Sequence, residues 1–179
     1  MIEQQEYINY AVMVNGHSLK RWQAETIQQL NESGLCRCVL IISNPEVKVR
    51  KKNFFLKPFS RHSLYNFLLN RYFNVEADQK GATHYFAESD MLKIKEFQPS
   101  FILRFGYNIL RGDILDAVPH GIWSFHHGDE RKFRGGPFGF HEIRTKTTVT
   151  GVILQKLTSR LDAGHVLLRR EYITVMHSW

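Results

Sequence analysis

Apolar residues along this chain come in short runs separated by stretches of helical spacing. Residues 7–14 (YINYAVMV) are dense in aromatic and branched side chains and stop at Asn15-Gly16, which predicts a strand ending in a turn. Ser18 then offers a cap to LKRWQAETIQQL, where Leu19, Trp22, Ile27 and Leu30 fall at roughly helical spacing before Gly34. Residues 38–43 (CVLIIS), bounded by Asn44-Pro45, form the unbroken apolar run of a strand buried on both faces. Residues 63–73 place Leu64, Phe67, Leu68 and Tyr72 on one helical face, a stripe read as core packing. Residues 74–87 show little periodicity apart from an edge-strand signal near His84-Tyr85-Phe86. A short helix over 88–97 ends at Gln98-Pro99, and SFILRF (100–105) is a third buried-type strand broken by Gly106-Tyr107-Asn108. Residues 109–118 read as a short helix closed by Pro119, and 121–125 as a fourth strand that delivers His126.

Strands alternating with helices at this spacing predict βαβ units, hence an α/β fold with a three-layer, mostly parallel, Rossmann-like sheet and right-handed crossovers. In such sheets ligands bind beyond the carboxyl ends of the strands, where His126 and the loop over 106–110 are expected. Further on, 139–146 reads as helical. Residues 148–156 (TVTGVILQK) and 166–175 (VLLRREYITV) read as strands joined by a turn at Asp162-Ala163-Gly164, a loose hairpin on the sheet.

Composition narrows the class of protein. Hydrophobic residues make up 43% and charged residues 23%, ordinary globular usage, so wholesale disorder is excluded, and 179 residues suit one domain. The two cysteines flank a single residue and form nothing like a secreted disulfide framework. No run approaches a membrane span, and MIEQQEY lacks the layout of a signal peptide, so a cytoplasmic protein is expected. The net charge of +7 is concentrated: Lys48, Arg50, Lys51, Lys52, Lys57, Arg61 and Arg71 lie in a stretch without one acidic residue, which accounts for the whole excess. Such a stretch is either a solvated surface or a site for an anionic partner.

The chemistry gathers in GIWSFHHGDERKFRGG (121–136) and in Leu161-Asp162-Ala163-Gly164. A histidine at a strand end is a candidate general base or acid, since its ordinary pKa is near neutrality and a carboxylate can hold its ring. His126 is that candidate and Asp162 the expected partner. A hydroxyl from Ser124 or the backbone around Gly135-Gly136 could stabilise an oxyanion. His126, His127, His141 and Asp129 are near in sequence, but without an HExxH or closely spaced Cys/His set no metal is expected. The alternative is histidines merely hydrogen-bonded at a strand end. The turn at Asn15-Gly16, between a strand and a helix, can point backbone N–H groups at an anion, although one glycine rather than a glycine-rich fingerprint makes a plain strand-to-helix turn the better reading.

Ser124-Phe125-His126, then Phe133-Arg134-Gly135, then Asp162-Ala163-Gly164 thirty-six residues after the histidine, resemble the N-terminal catalytic domain of the folate-dependent formyltransferases. That family's pattern is Asn-x-His, a Tyr-Arg-Gly or similar tripeptide, and a leucine, aspartate and glycine turn. Phe105-Gly106-Tyr107-Asn108-Ile109-Leu110 also resembles the family loop before the catalytic strand. The resemblance implies the formyltransferase fold, one domain over 1–179 without the family's C-terminal domain, and formyl transfer from 10-formyltetrahydrofolate to an amine. It implies that His126 and Ser124 meet the oxyanion and that Asp162 holds the histidine. By position, Tyr107, Ile109 and Leu110 with Leu157, Thr158, Ser159, Arg160 and Leu161 are expected to wall the pterin pocket. Asn15, Gly16, His127, Arg134 and Gly135 are the expected acceptor-binding residues.

Two departures bear on function. Ser124 stands where the family has Asn, and losing a well-placed oxyanion donor costs on the order of 10²–10³ in rate. His127 stands where the family usually has Pro. The expectation is a formyltransferase-like enzyme acting on a phosphorylated or nucleotide-linked amine such as an amino sugar. The alternatives are a catalytically degenerate binding module of the same fold and, more remotely, a nucleic-acid binder.

Overall fold

A computed structural model describes residues 7–16, 18–44, 72–74, 78–80, 83–133 and 139–174. The basic stretch from Lys48 to Arg71 lies outside the described residues, as do Arg134 and Gly135. The chain divides into two compact units, Met1–Gly121 and Ile122–Trp179.

In the first unit, β1 (Ile8–Asn15) is the middle of a parallel arrangement. It pairs on one side with β2 (Cys36–Asn44) and on the other with β6 (Phe101–Arg104), and β3 (Tyr72–Asn74) extends β2. Central parallel strands are covered on both faces, which is why they read as unbroken apolar runs. Residues 10–14 and 38–44 are buried throughout, and Ile102 has no exposed surface. The rings of Tyr10 and Phe101 stack across the β1–β6 pair at 5.3 Å.

Helix α1 (Arg21–Glu32) buries Ile27, and Asn31 fastens it to both strands. The Asn31 side-chain oxygen accepts the Cys38 N–H at 2.9 Å and lies 3.3 Å from the Tyr10 hydroxyl. Ser18 does not cap this helix. The first turn begins after Lys20, whose N–H donates to the Gln23 side chain at 2.7 Å. Trp22 is 45% exposed and meets Phe105 edge-on rather than joining the core.

A second, small sheet orders β4 (Asp78–Lys80), β5 (Thr83–Tyr85) and β7 (Ile109–Arg111). β7 corrects the helix expected over 109–118. Ile109–Arg111 pairs in parallel with β5, Gly112 then turns the chain at φ 78°, and only one 3-10 turn, Asp113–Asp116, follows. Tyr72 and Phe73 likewise belong to β3, not to the helix expected over 63–73, whose other residues are outside the described set. Helix α2 (Glu88–Glu96) ends where Gln98-Pro99 was expected to end it.

The second unit is an antiparallel meander of β8 (Ile122–His127), β9 (Val149–Lys156) and β10 (His165–Ile173), with a short helix α3 (Phe140–Arg144) between β8 and β9. The expected hairpin of the last two strands is therefore present. Its buried anchors are Ile122 on β8 and Ile153 on β9. Among the described residues no helix is long and apolar enough to cross a membrane.

Candidate functional site

Alternation along β8 decides which side chains act together. Residues two apart share a face, so Ile122, Ser124 and His126 project to one side and Trp123, Phe125 and His127 to the other. The antiparallel register places Gln155 opposite Ser124 and Ile153 opposite His126. Directly opposed side chains share a face, so Ser124, His126, Gln155 and Ile153 form one patch. Ser124 is 3% exposed, its hydroxyl 3.4 Å from the Phe125 carbonyl, and His126 is half-buried. His127 projects from the opposite face. Burial pushes its pKa below the ordinary histidine value, and the neighbouring His126 acts in the same direction.

The turn after β8 is tightly clasped. Gly128 donates its N–H to the Gly151 carbonyl at 2.8 Å, and Asp129 gathers the cations of the turn. Its carboxylate accepts the Arg131 guanidinium through both oxygens at 2.8 Å and the Arg131 backbone N–H at 3.1 Å, with Lys132 at 3.5 Å. The guanidinium holds the Asp129 carboxyl well below the usual carboxylate range. Glu130 pairs with Arg169 on β10, and Arg131 reaches Glu171 at 3.4 Å.

Asp162 sits elsewhere on the hairpin. It is exposed, in the left-handed region at φ 53°, a conformation Asp tolerates better than most residues. The turn that carries it leaves β9 at Lys156, which faces Trp123, three residues or roughly 10 Å along β8 from His126. Among the described residues no hydrogen bond joins Asp162 to His126. The turn itself is well made: the Leu157 N–H bonds the Ile122 carbonyl at 2.8 Å. The Thr158 hydroxyl lies 3.2 Å from the Arg160 carbonyl and 3.1 Å from that of Ala163. Ser159, Arg160 and Leu161 are exposed.

The remaining candidates lie in the first unit. Tyr107 and Leu110 are buried, with Tyr107 stacked on Phe86, and Ile109 is half-buried. The Arg104 guanidinium bonds the Tyr107 carbonyl and holds the loop after β6. Asn15 closes β1 with its side-chain oxygen buried and, among the described residues, without a hydrogen bond, while the Gly16 N–H donates to the Asn44 carbonyl at 2.8 Å. Two residues went unseen in the sequence. Gln155 could have been found as the polar member of the alternating set Gly151, Ile153, Gln155. Nothing in the pattern marked Glu142, which is 2% exposed on α3.

Three comparisons bear on what this arrangement is. No protein-family model matches the chain. In sequence it is 29% identical over 85 residues to the methionyl-tRNA formyltransferase of Stenotrophomonas maltophilia (strain R551-3), a match covering 47% of this chain and 28% of that protein. The chain thus spans about a quarter of the length of the curated relatives it matches. In structure it superposes on glycinamide ribonucleotide transformylase 1 from Geobacillus kaustophilus with a TM-score of 0.67, at 20% identity over 95% of this chain and 85% of that one. A formyltetrahydrofolate deformylase from Pseudomonas putida KT2440 gives 0.66, at 12% identity over 96% and 56%. The fold is thus the mostly parallel, Rossmann-like α/β fold of these proteins. In sequence and in fold alike, the chain is similar to proteins of the formyltransferase family.

Proposed function

We propose that this domain moves a formyl group from 10-formyltetrahydrofolate to the amine of a phosphorylated or nucleotide-linked acceptor such as an amino sugar, in the cytoplasm. The observation that carries the proposal is the patch on β8 and β9, where a hydroxyl, an imidazole and an amide share one face. The folate supplies an activated formyl carbon and a nitrogen that can leave once protonated. The 157–164 turn suits such a group, because its exposed backbone polar groups and Leu161 offer the mixed surface that a pterin needs. Tyr107, Ile109 and Leu110 are assigned to the donor on the strength of the sequence resemblance alone. Ser124 donates to the formyl oxygen as charge develops there, Gln155 is the amide best placed to supplement it, and His126 takes the proton released by the attacking amine. Asp162 is proposed to approach the histidine when the donor is bound. Asn15, with its unpartnered oxygen, Gly16, His127, Arg134 and Gly135 are assigned to the acceptor, and the basic stretch from Lys48 to Arg71 supports an anionic one.

One observation favours a second reading, a binding module that no longer catalyses. Ser124 is buried and shorter than the family Asn, so its hydroxyl reaches less far. The two readings separate in one set of measurements: calorimetry with 5-formyltetrahydrofolate, then single-turnover formyl transfer to a panel of amino-sugar nucleotides for the parent and Ser124→Asn. The enzyme reading expects folate binding, measurable transfer, and a gain in turnover of roughly 10²-fold in the variant with folate affinity unchanged. Folate binding with no transfer in either protein overturns it in favour of the module.

A further inference from the structure

Glu142 is a buried carboxylate with one oxygen that the described residues leave without a partner. It is 2% exposed, and among the described residues its Oε1 is buried without a hydrogen bond. Leaving a polar group unsatisfied in the interior is costly, and more so for an ionised one, whereas a methionine or leucine would fill the same space. Groups of this kind persist where a site needs them. The position that a β-carbon on Gly128 would occupy lies 3.7 Å from His126 Nε2, 3.7 Å from the Phe133 carbonyl oxygen and 3.8 Å from Glu142 Oε1. Imidazole and carboxylate therefore border the same small volume, kept open because Gly128, at φ 133°, carries no side chain.

The surrounding charges leave Glu142 to His126. Asp129 is engaged by Arg131 and Lys132, and Arg169, which shares the β-sheet face of His126 on β10, is engaged by Glu130. His141, beside Glu142 on α3, stacks on Phe133 at 5.4 Å. From β9 the neighbours on this face are Ile153 and Gln155, neither of which titrates. His127 is adjacent in sequence but on the opposite face. Among the described residues the His126 ring makes no hydrogen bond, and Asp162 stands in an exposed turn that leaves β9 at Lys156, opposite Trp123 near the start of β8.

We propose that Glu142 is the positioning residue of His126, holding its ring through Nε2–H, directly or through one water, and stabilising the imidazolium. The role rests on the formyl-transfer reading given above. As the acceptor nitrogen bonds the formyl carbon and the folate nitrogen departs, His126 receives the amine proton and returns it to the leaving nitrogen. Glu142 remains a carboxylate throughout. Positioned this way, the histidine has a carboxylate partner in the free protein, before Asp162 approaches with the donor.

The decisive measurement needs no substrate. The His126 ring is titrated by NMR in the full chain for the parent, Glu142→Gln and Asp162→Asn, together with the 13C resonance of the Glu142 carboxylate in the parent. An opposite charge within pairing range moves a titration midpoint by about 1–3 units. We expect the midpoint to fall by about one unit in Glu142→Gln and to hold in Asp162→Asn. We also expect the parent Glu142 carboxylate to show a step at the pH where His126 titrates. In turnover, Glu142→Gln should lower kcat about 10-fold or more with the acceptor KM unchanged, and Glu142→Asp should recover part of the loss. A midpoint that moves only in Asp162→Asn overturns the proposal, as does a parent carboxylate with no step, a reading available even if Glu142→Gln does not fold. Absent formyl transfer with the titration as expected would overturn the functional reading and leave the pair standing.

Discussion

Gly164 closes the turn that carries Asp162, and replacing it with alanine should open that turn. A β-carbon there would stand 2.7 Å from the Lys156 carbonyl oxygen, 2.7 Å from the Gln155 side-chain oxygen and 3.0 Å from its carbon. The two obstacles differ in kind. Gln155 can rotate aside at a modest rotamer cost, whereas Lys156 is held by strand pairing to His165 on one side and Trp123 on the other. The turn must therefore move by several tenths of an ångström, and overpacking of this kind costs about 1–3 kcal/mol. For a chain of this size each kcal/mol is about 2–4 °C in Tm. The Tm of Gly164→Ala should accordingly fall by roughly 2–12 °C. Because the displaced segment is the proposed pterin wall, 5-formyltetrahydrofolate should bind more weakly by calorimetry. The Gln155→Ala background assigns the cause: if the side chain is the main obstacle, the two substitutions together cost less than their sum, and if the carbonyl is, they add. A Gly164→Ala protein that melts within about 0.5 kcal/mol of the parent would refute the close approach itself.

Two further predictions follow from the turn after β8. Asp129 has its pKa depressed by Arg131, so the stability it contributes is present above the unfolded carboxyl value of about 3.9 and is lost as pH falls toward its folded value. In urea unfolding, Asp129→Asn should therefore lower the midpoint at pH 7 and converge with the parent in strong acid; a gap that persists there would refute the assignment. His127 has its pKa lowered by burial, so folding favours its neutral form, and that stability is present above the unfolded value of about 6.5 and lost as pH drops below it. His127→Gln should flatten the pH dependence of stability between about pH 5 and 7, and an unchanged slope would count against this account.

Much of this was legible in the sequence because physical signals there are local. Buried parallel strands announced themselves as VMV and VLII, and β8 was found, including the histidine at its end, because an apolar run gave way to glycine and charge. Where local signals were weak the reading failed. Ile109-Leu110-Arg111 is too short for its period to separate strand from helix, and pairing with β5, a distant contact, decided the matter. Ser18 looked like a cap because its residue type suits one, but helix α1 begins three residues later and Gln23 takes the Lys20 N–H instead. Glu142 was invisible for a deeper reason. In FHEIR it has the appearance of any solvated acid, and only the packing of a five-residue helix against the turn at Gly128 reveals that it is buried.

The β8–β9 register is what turns these residues into a site. A slip of one residue would send Ser124 and His126 to the face that Phe125 and His127 now occupy and would replace Gln155 by Leu154 as the neighbour of Ser124. Strands with one well-buried face resist such slips, yet this meander buries little besides Ile122 and Ile153, so the apolar pattern alone specifies the register weakly. The ends supply what the faces lack. At one end the Gly128 N–H holds the Gly151 carbonyl, and a β-carbon on Gly151 would stand 2.9 Å from the Asp129 backbone, so the turn fits only where glycine faces it. At the other end the Leu157 N–H holds the Ile122 carbonyl, and Gly164 lets the loop close on Lys156. The closely approached glycines and the clasped turns therefore fix the pairing, and through it the patch of hydroxyl, imidazole and amide on which the proposed chemistry depends.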